Sequence, residues 1–90
     1  MTVYMVERNL KGITMEDLAG AQKLAIAKAD EFRSRGTAVR YIRSVFAPED
    51  GRCMCLFEAE SAADVEALNR EAELPFEKVV EALDLTPAAN

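Results

Sequence analysis

A β-hairpin between two capped helices is the feature that most constrains the fold of this chain. An apolar and aromatic run at 39–46 and an alternating run at 52–59 flank APEDG, whose Pro, Asp and Gly favour a turn. Thr14, with Asp17 three residues later, predicts the start of a helix before the hairpin, and Ser61 predicts one after it. We therefore expect a sheet built around this hairpin.

Two further patterns complete the order of elements. Residues 3–8 and 78–85 are rich in apolar and β-branched side chains and predict a first and a last strand. The first helix is expected to run to about Arg35, and Pro75 is expected to end the second. The order β-α-β-β-α-β predicts an α+β, ferredoxin-like domain, in which two helices cover one face of a four-stranded sheet.

Length and charge limit the classes of function. Residues 1–90 suffice for one domain with a small core, and we expect the polar tail at 86–90 to be frayed. Lys and Arg number 11 against 16 Asp and Glu, and the basic residues are dispersed, so no nucleic-acid partner is expected. The sequence shows neither a signal-peptide pattern nor a long apolar run, so we expect a cytoplasmic protein without a membrane partner.

The cysteines and the lack of histidine define the available chemistry. Cys53 and Cys55 are the only sulfhydryl groups, and their spacing in a strand directs both side chains to one face. Without histidine, the commonest metal ligand is missing, and chemistry is left to thiols, carboxylates, Tyr, Lys or Arg. The two cysteines are either functional thiols in a reducing compartment or small apolar side chains that pack.

The hairpin register predicts which residues share a face with the cysteines. A turn that pairs Phe46 with Arg52 places Arg43 opposite Cys55. Because burying an unpaired guanidinium costs free energy, we expect this face to be open and the face of Met54 to lie under the helices. The open face is then expected to carry thiol, aromatic, guanidinium and carboxylate groups, namely those of Cys53, Cys55, Tyr41, Phe57, Arg43, Glu7 and Glu81.

Four segments resemble a known family. YMVERNL at 4–10, GTAVRYIRSVFAPED at 36–50, CMCLFEAES at 53–61 and ELPFEKVVEAL at 73–83 are similar to a small ferredoxin-like domain family of unknown function, some of whose members are described as nickel-binding. The resemblance implies a homodimer that pairs through the open sheet face, as in dimeric α+β barrels. It also implies nickel as a bound ion.

Candidate metal ligands follow from the resemblance and from the composition together. The resemblance suggests Cys55 and Glu7, and Cys53 and Glu81 are added because only thiolates and carboxylates remain without histidine. Such soft ligands suit Ni, Zn or Cu, and no organic cofactor is expected.

Three functions stay open at this point. The first is a metal-binding protein that uses those four ligands in a homodimer. The second is a cofactor-independent enzyme of the dimeric α+β barrel type that acts on a small hydrophobic molecule, and the third is an interaction module without chemistry. Tyr41, Arg43, Phe57 and Met5 are expected to line the pocket or the interface in these cases.

Overall fold

The computed structural model describes residues 1–87 and contains the predicted order of strands and helices. The elements are β1 (Thr2–Asn9), α1 (Met15–Ser34), β2 (Val39–Ala47), β3 (Arg52–Ala59), α2 (Ala62–Glu71) and β4 (Lys78–Ala82). The four strands form one sheet in the order β2-β3-β1-β4, with every neighbouring pair antiparallel. This confirms the ferredoxin-like α+β fold. Part of the tail predicted at 86–90 lies outside the described residues.

Both helices begin at the predicted capping residues. The side chain of Thr14 accepts a hydrogen bond from the Asp17 amide, and the side chain of Ser61 accepts one from the Asp64 amide. Each bond satisfies a backbone donor that the first helical turn leaves unpaired. The buried positions of α1, Ala25, Ala29 and Phe32, then direct one side of that helix towards the sheet.

A β-bulge in β2 changes the hairpin register. Tyr41 lies opposite Phe57, as predicted, and the two rings make an edge-to-face contact with centroids 5.5 Å apart. Between Tyr41 and Arg43 the register shifts by one residue, so that Arg43 lies opposite Leu56 and Ser44 lies opposite Cys55. The predicted pairing of Arg43 with Cys55 is therefore wrong.

The register shift reverses the predicted assignment of the two sheet faces. Cys53, Cys55 and Phe57 are buried in the core with the helices, whereas Met54 and Leu56 lie on the opposite, open face. The premise that Arg43 stays outside the core is correct. The bulge, however, separates Arg43 from the face that Tyr41 shares with the cysteines.

The carboxylates predicted for the open face lie on different faces. Glu7 is on the open face, where it forms an ion pair with Lys78 at 3.4 Å, and Met5 lies on the same face. Glu81 lies opposite Tyr4 in the register of β1 and β4, so it belongs to the helix-covered face, at an exposed position. The prediction that Glu81 joins Glu7 on the open face is wrong.

Gly51 holds the end of the hairpin against the segment after β1. Its carbonyl accepts a hydrogen bond of 2.7 Å from the Leu10 amide, and its φ is +77°. A Cβ atom at this position would lie 2.3 Å from the Cα of Lys11. Glycine is thus required here by both backbone conformation and space, and it fixes the position of Leu10 beside the cysteines.

Helices of the kind that cross a membrane are not found within residues 1–87, since neither α1 nor α2 combines the length and apolar character that this needs.

Candidate functional site: a cysteine cavity beneath the first helix

A buried arginine lies beside Cys55 on the helix-covered face. Arg8 is 5% exposed, and its three guanidinium nitrogens each donate a hydrogen bond. Nε donates to the Cys55 sulfur at 3.4 Å, Nη1 to the Pro75 carbonyl at 3.1 Å, and Nη2 to the side-chain oxygen of Asn69 at 2.6 Å. These partners compensate the cost of burying the charge.

Asn69 is itself held in place by α2. It is fully buried, and its side-chain Nδ2 donates a hydrogen bond of 2.8 Å to the Val65 carbonyl. This bond leaves the side-chain oxygen of Asn69 directed at Arg8. Within residues 1–87, no buried side-chain nitrogen or oxygen lacks a hydrogen-bond partner. The second helix therefore orients Arg8, and Arg8 in turn is fixed against Cys55.

A chain of hydroxyl groups reaches Cys55 from the opposite side. The Ser44 hydroxyl donates to the Cys55 sulfur at 2.9 Å, and the Tyr41 hydroxyl lies 2.6 Å from the Ser44 oxygen. Because serine has a single hydroxyl proton, Tyr41 must be the donor to Ser44. Gln22 completes the chain by donating to the Tyr41 oxygen at 3.0 Å. All of these bonds point towards the Cys55 sulfur.

The surroundings shift the pKa values of the two cysteines in opposite directions. The sulfurs are 3.9 Å apart, and the hydrogen bond from Cys53 is the largest cause that lowers the pKa of Cys55 to about 5. The charge of Arg8 and the bond from Ser44 act in the same direction, whereas burial opposes them. The same hydrogen bond, together with burial, raises the pKa of Cys53. The surroundings therefore favour the thiolate form at Cys55 and the protonated form at Cys53.

A cavity of about 390 Å³ lies above the cysteines, between the sheet and α1. Its walls are mainly apolar and include Leu10, Ile13, Leu18, Ala21, Phe46 and Leu74. The polar groups at its base are those of Arg8, Tyr41, Ser44, Cys53 and Cys55, with Gln22 on the side of α1. Met15, which also lines the cavity, is 70% exposed, so the cavity opens to solvent at the start of α1. A volume of this size suits a small ligand.

The structure brings together only some of the residues predicted for the site. Cys53, Cys55 and Tyr41 line the cavity, and Phe57 is fully buried beside them in the core. Arg43, Glu7 and Met5 lie on the other face of the sheet. Glu81 lies on the cysteine face, but β1 lies between it and the cysteines: Glu81 pairs with Tyr4, whereas Cys55 and Cys53 pair with Val6 and Arg8 on the other side of β1.

Sequence reasoning missed the groups that surround Cys55. Arg8 is two residues after Val6 and four after Tyr4, so all three side chains lie on the same face of β1. The alternation of β1 therefore already indicates that Arg8 points towards the helices. The position of Ser44 carries no comparable signal, because it depends on the bulge after Tyr41. Asn69 occupies a buried position of α2, where its polar side chain indicates a buried partner.

The donor atoms suit a metal site in which the protein supplies two sulfur ligands and the remaining coordination positions stay open. They do not suit a site in which protein side chains fill every position. Two sulfurs that bind one tetrahedral ion at ~2.3 Å are about 3.8 Å apart, and Cys53 and Cys55 have their sulfurs 3.9 Å apart. Among the described residues, no cluster of three or more His, Cys, Asp or Glu is placed to hold an ion. Cys53 and Cys55 would thus hold the ion, and solvent in the cavity would supply its other ligands.

Fold and site together define a small ferredoxin-like α+β domain that carries a cysteine pair in a cavity between sheet and helix. Residues 4–82 match the family described as nickel responsive protein SCO4226-like, and the chain belongs to this family. The family resemblance drawn from the four sequence segments is thereby confirmed.

A solved structure supports the same assignment. The crystal structure of SCO4226 from Streptomyces coelicolor A3(2) is similar to this chain with a TM-score of 0.74 and 25% sequence identity. The similarity covers 94% of this chain and 99% of that one. No curated protein matches the chain.

Proposed function

We propose that this protein binds a single soft metal ion of the nickel type through the sulfurs of Cys53 and Cys55. The observation that carries the proposal is the 3.9 Å separation of the two sulfurs at the base of a cavity that opens to solvent. The description of the family as nickel responsive supports nickel as the ion.

The surroundings of Cys55 favour its role as the first ligand. A thiolate binds metal without losing a proton, and Arg8 and Ser44 stabilise that form of Cys55 before an ion arrives. Cys53 must release its proton to become the second ligand, so binding releases one proton at neutral pH. Metal affinity is therefore expected to rise with pH.

A metal titration of the reduced protein tests this proposal. Ni²⁺ is added to the wild type and to Cys53→Ser and Cys55→Ser, with thiolate-to-metal absorption and the number of titratable thiols as readouts. We expect one ion per wild-type chain, a greater loss for Cys55→Ser than for Cys53→Ser, and no change for the control Glu7→Gln, whose side chain lies on the other face. Equal thiol titration with and without Ni, Zn or Cu, and no uptake, would contradict the proposal.

We further propose that a second copy of the chain covers the open sheet face. This face carries apolar side chains from all four strands, including Val3, Met5, Val45, Met54, Leu56 and Val80. Asp84 reaches from the segment after β4 to Arg43 on β2, the opposite edge of the sheet, and the neighbouring Leu83 and Leu85 are 80% and 83% exposed. An exposed apolar face of this kind is typical of an interface, and two copies related by a twofold axis present the same face to each other.

Sedimentation of the wild type and of Met54→Glu measures this assembly. We expect a dimer for the wild type and a monomer for Met54→Glu, because a carboxylate at the centre of the face would be buried without a partner. Glu58→Gln, at the end of the same strand, is the matched control and is expected to remain dimeric. A monomeric wild type at high concentration would contradict the proposal.

The cavity favours a second candidate function, the binding of a small apolar molecule. Of the four residues predicted to line the pocket or the interface, only Tyr41 lines the cavity. Binding of a hydrophobic fluorescent probe to the wild type, and its loss in Ala21→Leu, would support this function. Unchanged probe binding in Ala21→Leu would contradict it.

A further inference from the structure

The arrangement of donors around Cys55 indicates a use beyond metal binding. Two groups donate to its sulfur, the Ser44 hydroxyl at 2.9 Å and the Arg8 guanidinium at 3.4 Å, and the Cys53 sulfur lies 3.9 Å away. Neither Arg8 nor Ser44 donates to Cys53 in the described structure. The fixed donors of the site are thus directed at one sulfur atom, that of Cys55, and not at its neighbour.

The cavity places this sulfur where a small molecule can reach it. Cys55 lies at the base, apolar side chains form the walls, and the exposed Met15 marks the opening. A substrate held here would have an apolar body and a reactive end that approaches the thiolate. Charged substrates would find only Arg8, whose donors are already bonded to the protein.

We infer that Cys55 reduces small organic hydroperoxides, with the apolar part of the substrate held between the sheet and α1 and with Cys53 as the proton donor. Thiolates attack hydroperoxides at the terminal oxygen, and the Cys53 thiol, 3.9 Å from Cys55, is placed to give a proton to the leaving oxygen. This inference does not depend on metal binding.

The reaction balances with the groups at the site. The Cys55 thiolate attacks the terminal oxygen of the hydroperoxide, an S–O bond forms and the O–O bond breaks. The leaving alkoxide takes the proton of Cys53, so the products are a sulfenic acid at Cys55, an alcohol and a thiolate at Cys53. The sulfur is oxidised and the hydroperoxide reduced by two electrons.

An external thiol is the expected reductant for the sulfenic acid. Cys53 and Cys55 are two residues apart in an extended strand, which places their Cα atoms near the upper limit for a disulfide. A small thiol that enters the cavity would instead form a mixed disulfide with Cys55 and release water. A second thiol would then restore the thiolate.

Oxidation of the reduced, metal-free protein by cumene hydroperoxide and by hydrogen peroxide tests the inference. A chelator keeps metal away from the cysteines, and a sulfenic-acid-specific 1,3-diketone traps the product for mass spectrometry. We expect label at Cys55 alone, faster reaction with the organic hydroperoxide, and complete loss in Cys55→Ser. Equal labelling of both cysteines, or equal rates for both peroxides, would overturn it.

Two further variants separate chemistry from structure. Ser44→Ala removes one charge-assisted hydrogen bond to the thiolate, so we expect a rate roughly tenfold lower at acidic pH and a smaller loss at alkaline pH. Ala21→Leu narrows the cavity and is expected to slow the organic hydroperoxide but not hydrogen peroxide. A uniform loss with both peroxides and at all pH values would overturn the assigned roles of Ser44 and the cavity.

Discussion

Arg8 and Arg43 lie on opposite faces of the same sheet and show how differently a guanidinium is used on each. Arg8 is 5% exposed and donates to Cys55, Asn69 and Pro75, so it is part of a buried hydrogen-bond network. The side chain of Arg43 is 52% exposed and forms an ion pair with Asp84. The helix-covered face therefore combines charge with precise geometry, whereas the open face combines apolar surface with exposed ion pairs.

Replacing each arginine by methionine tests this difference between the two faces, and we expect the largest change in stability from it. Arg8→Met leaves the Asn69 oxygen without its buried donor and removes one of the donors to the Cys55 sulfur, and we expect a loss of about 3–5 kcal/mol in the free energy of unfolding. Arg43→Met is expected to cost less than about 1 kcal/mol. Urea unfolding followed by circular dichroism measures both, and equal losses would show that the Arg8 network contributes no special stability.

The pH dependence of stability gives the next largest effect. The pKa of Cys55 in the folded chain is lowered to about 5 from an ordinary 9.0, so the folded state binds fewer protons between these values. The free energy of unfolding should thus rise with pH by about 1 kcal/mol per pH unit between about 5 and 9.0. As pH falls through about 5, this contribution to stability is lost. The pKa of Cys53 is raised, so this residue lowers the free energy of unfolding with rising pH, but only above the ordinary thiol pKa of 9.0.

Cys55→Ser is the matched control for this pH effect. Serine does not titrate in this range, so the slope should disappear in the variant and persist in Arg43→Met. Reaction with iodoacetamide gives an independent measurement, because only the thiolate reacts. A titration midpoint near the ordinary value for Cys55 in the wild type would contradict the assignment of the thiolate.

Removing one hydroxyl from the helix-covered face should give a smaller loss. Tyr41→Phe breaks the chain between Gln22 and Ser44, and we expect a cost of about 1 kcal/mol. Tyr4 is the matched control, since it lies on the same face but its hydroxyl forms no hydrogen bond within residues 1–87. Thermal unfolding compares the two variants, and equal effects of Tyr41→Phe and Tyr4→Phe would contradict the proposed chain.

The difference between the two faces also explains what the sequence predicted and what it did not. The order of elements follows from local signals such as the Thr14 and Ser61 caps, and both caps form as predicted. The cysteine face was predicted wrongly because a single extra residue in β2, between Tyr41 and Arg43, reverses the direction of every side chain after it. A bulge has no reliable local signal, since its energy depends on how both strands pack.

The residues of the site also show that a feature that depends on long-range contacts has no local signal in the sequence. Cys53 and Cys55 were recognised as a pair on one face, which the structure confirms. Their partner Arg8 was overlooked because buried arginine is rare unless it is paired, and its partners Asn69 and Pro75 are more than 60 residues away in the sequence. Long-range polar contacts of this kind become visible only when the topology is known.

Removing the Arg43–Asp84 ion pair should change the stability least. Its coupling energy also tests directly whether the open face differs from the helix-covered face. In a double-mutant cycle with Arg43→Gln and Asp84→Asn, we expect a coupling below about 1 kcal/mol at low protein concentration, weakened by salt, because the pair is exposed to water. If a second copy covers the open face, the pair becomes desolvated and its coupling should grow with protein concentration. A coupling that is independent of both salt and concentration would show that Arg43, like Arg8, belongs to a fixed internal network and that the two faces differ less than the structure indicates.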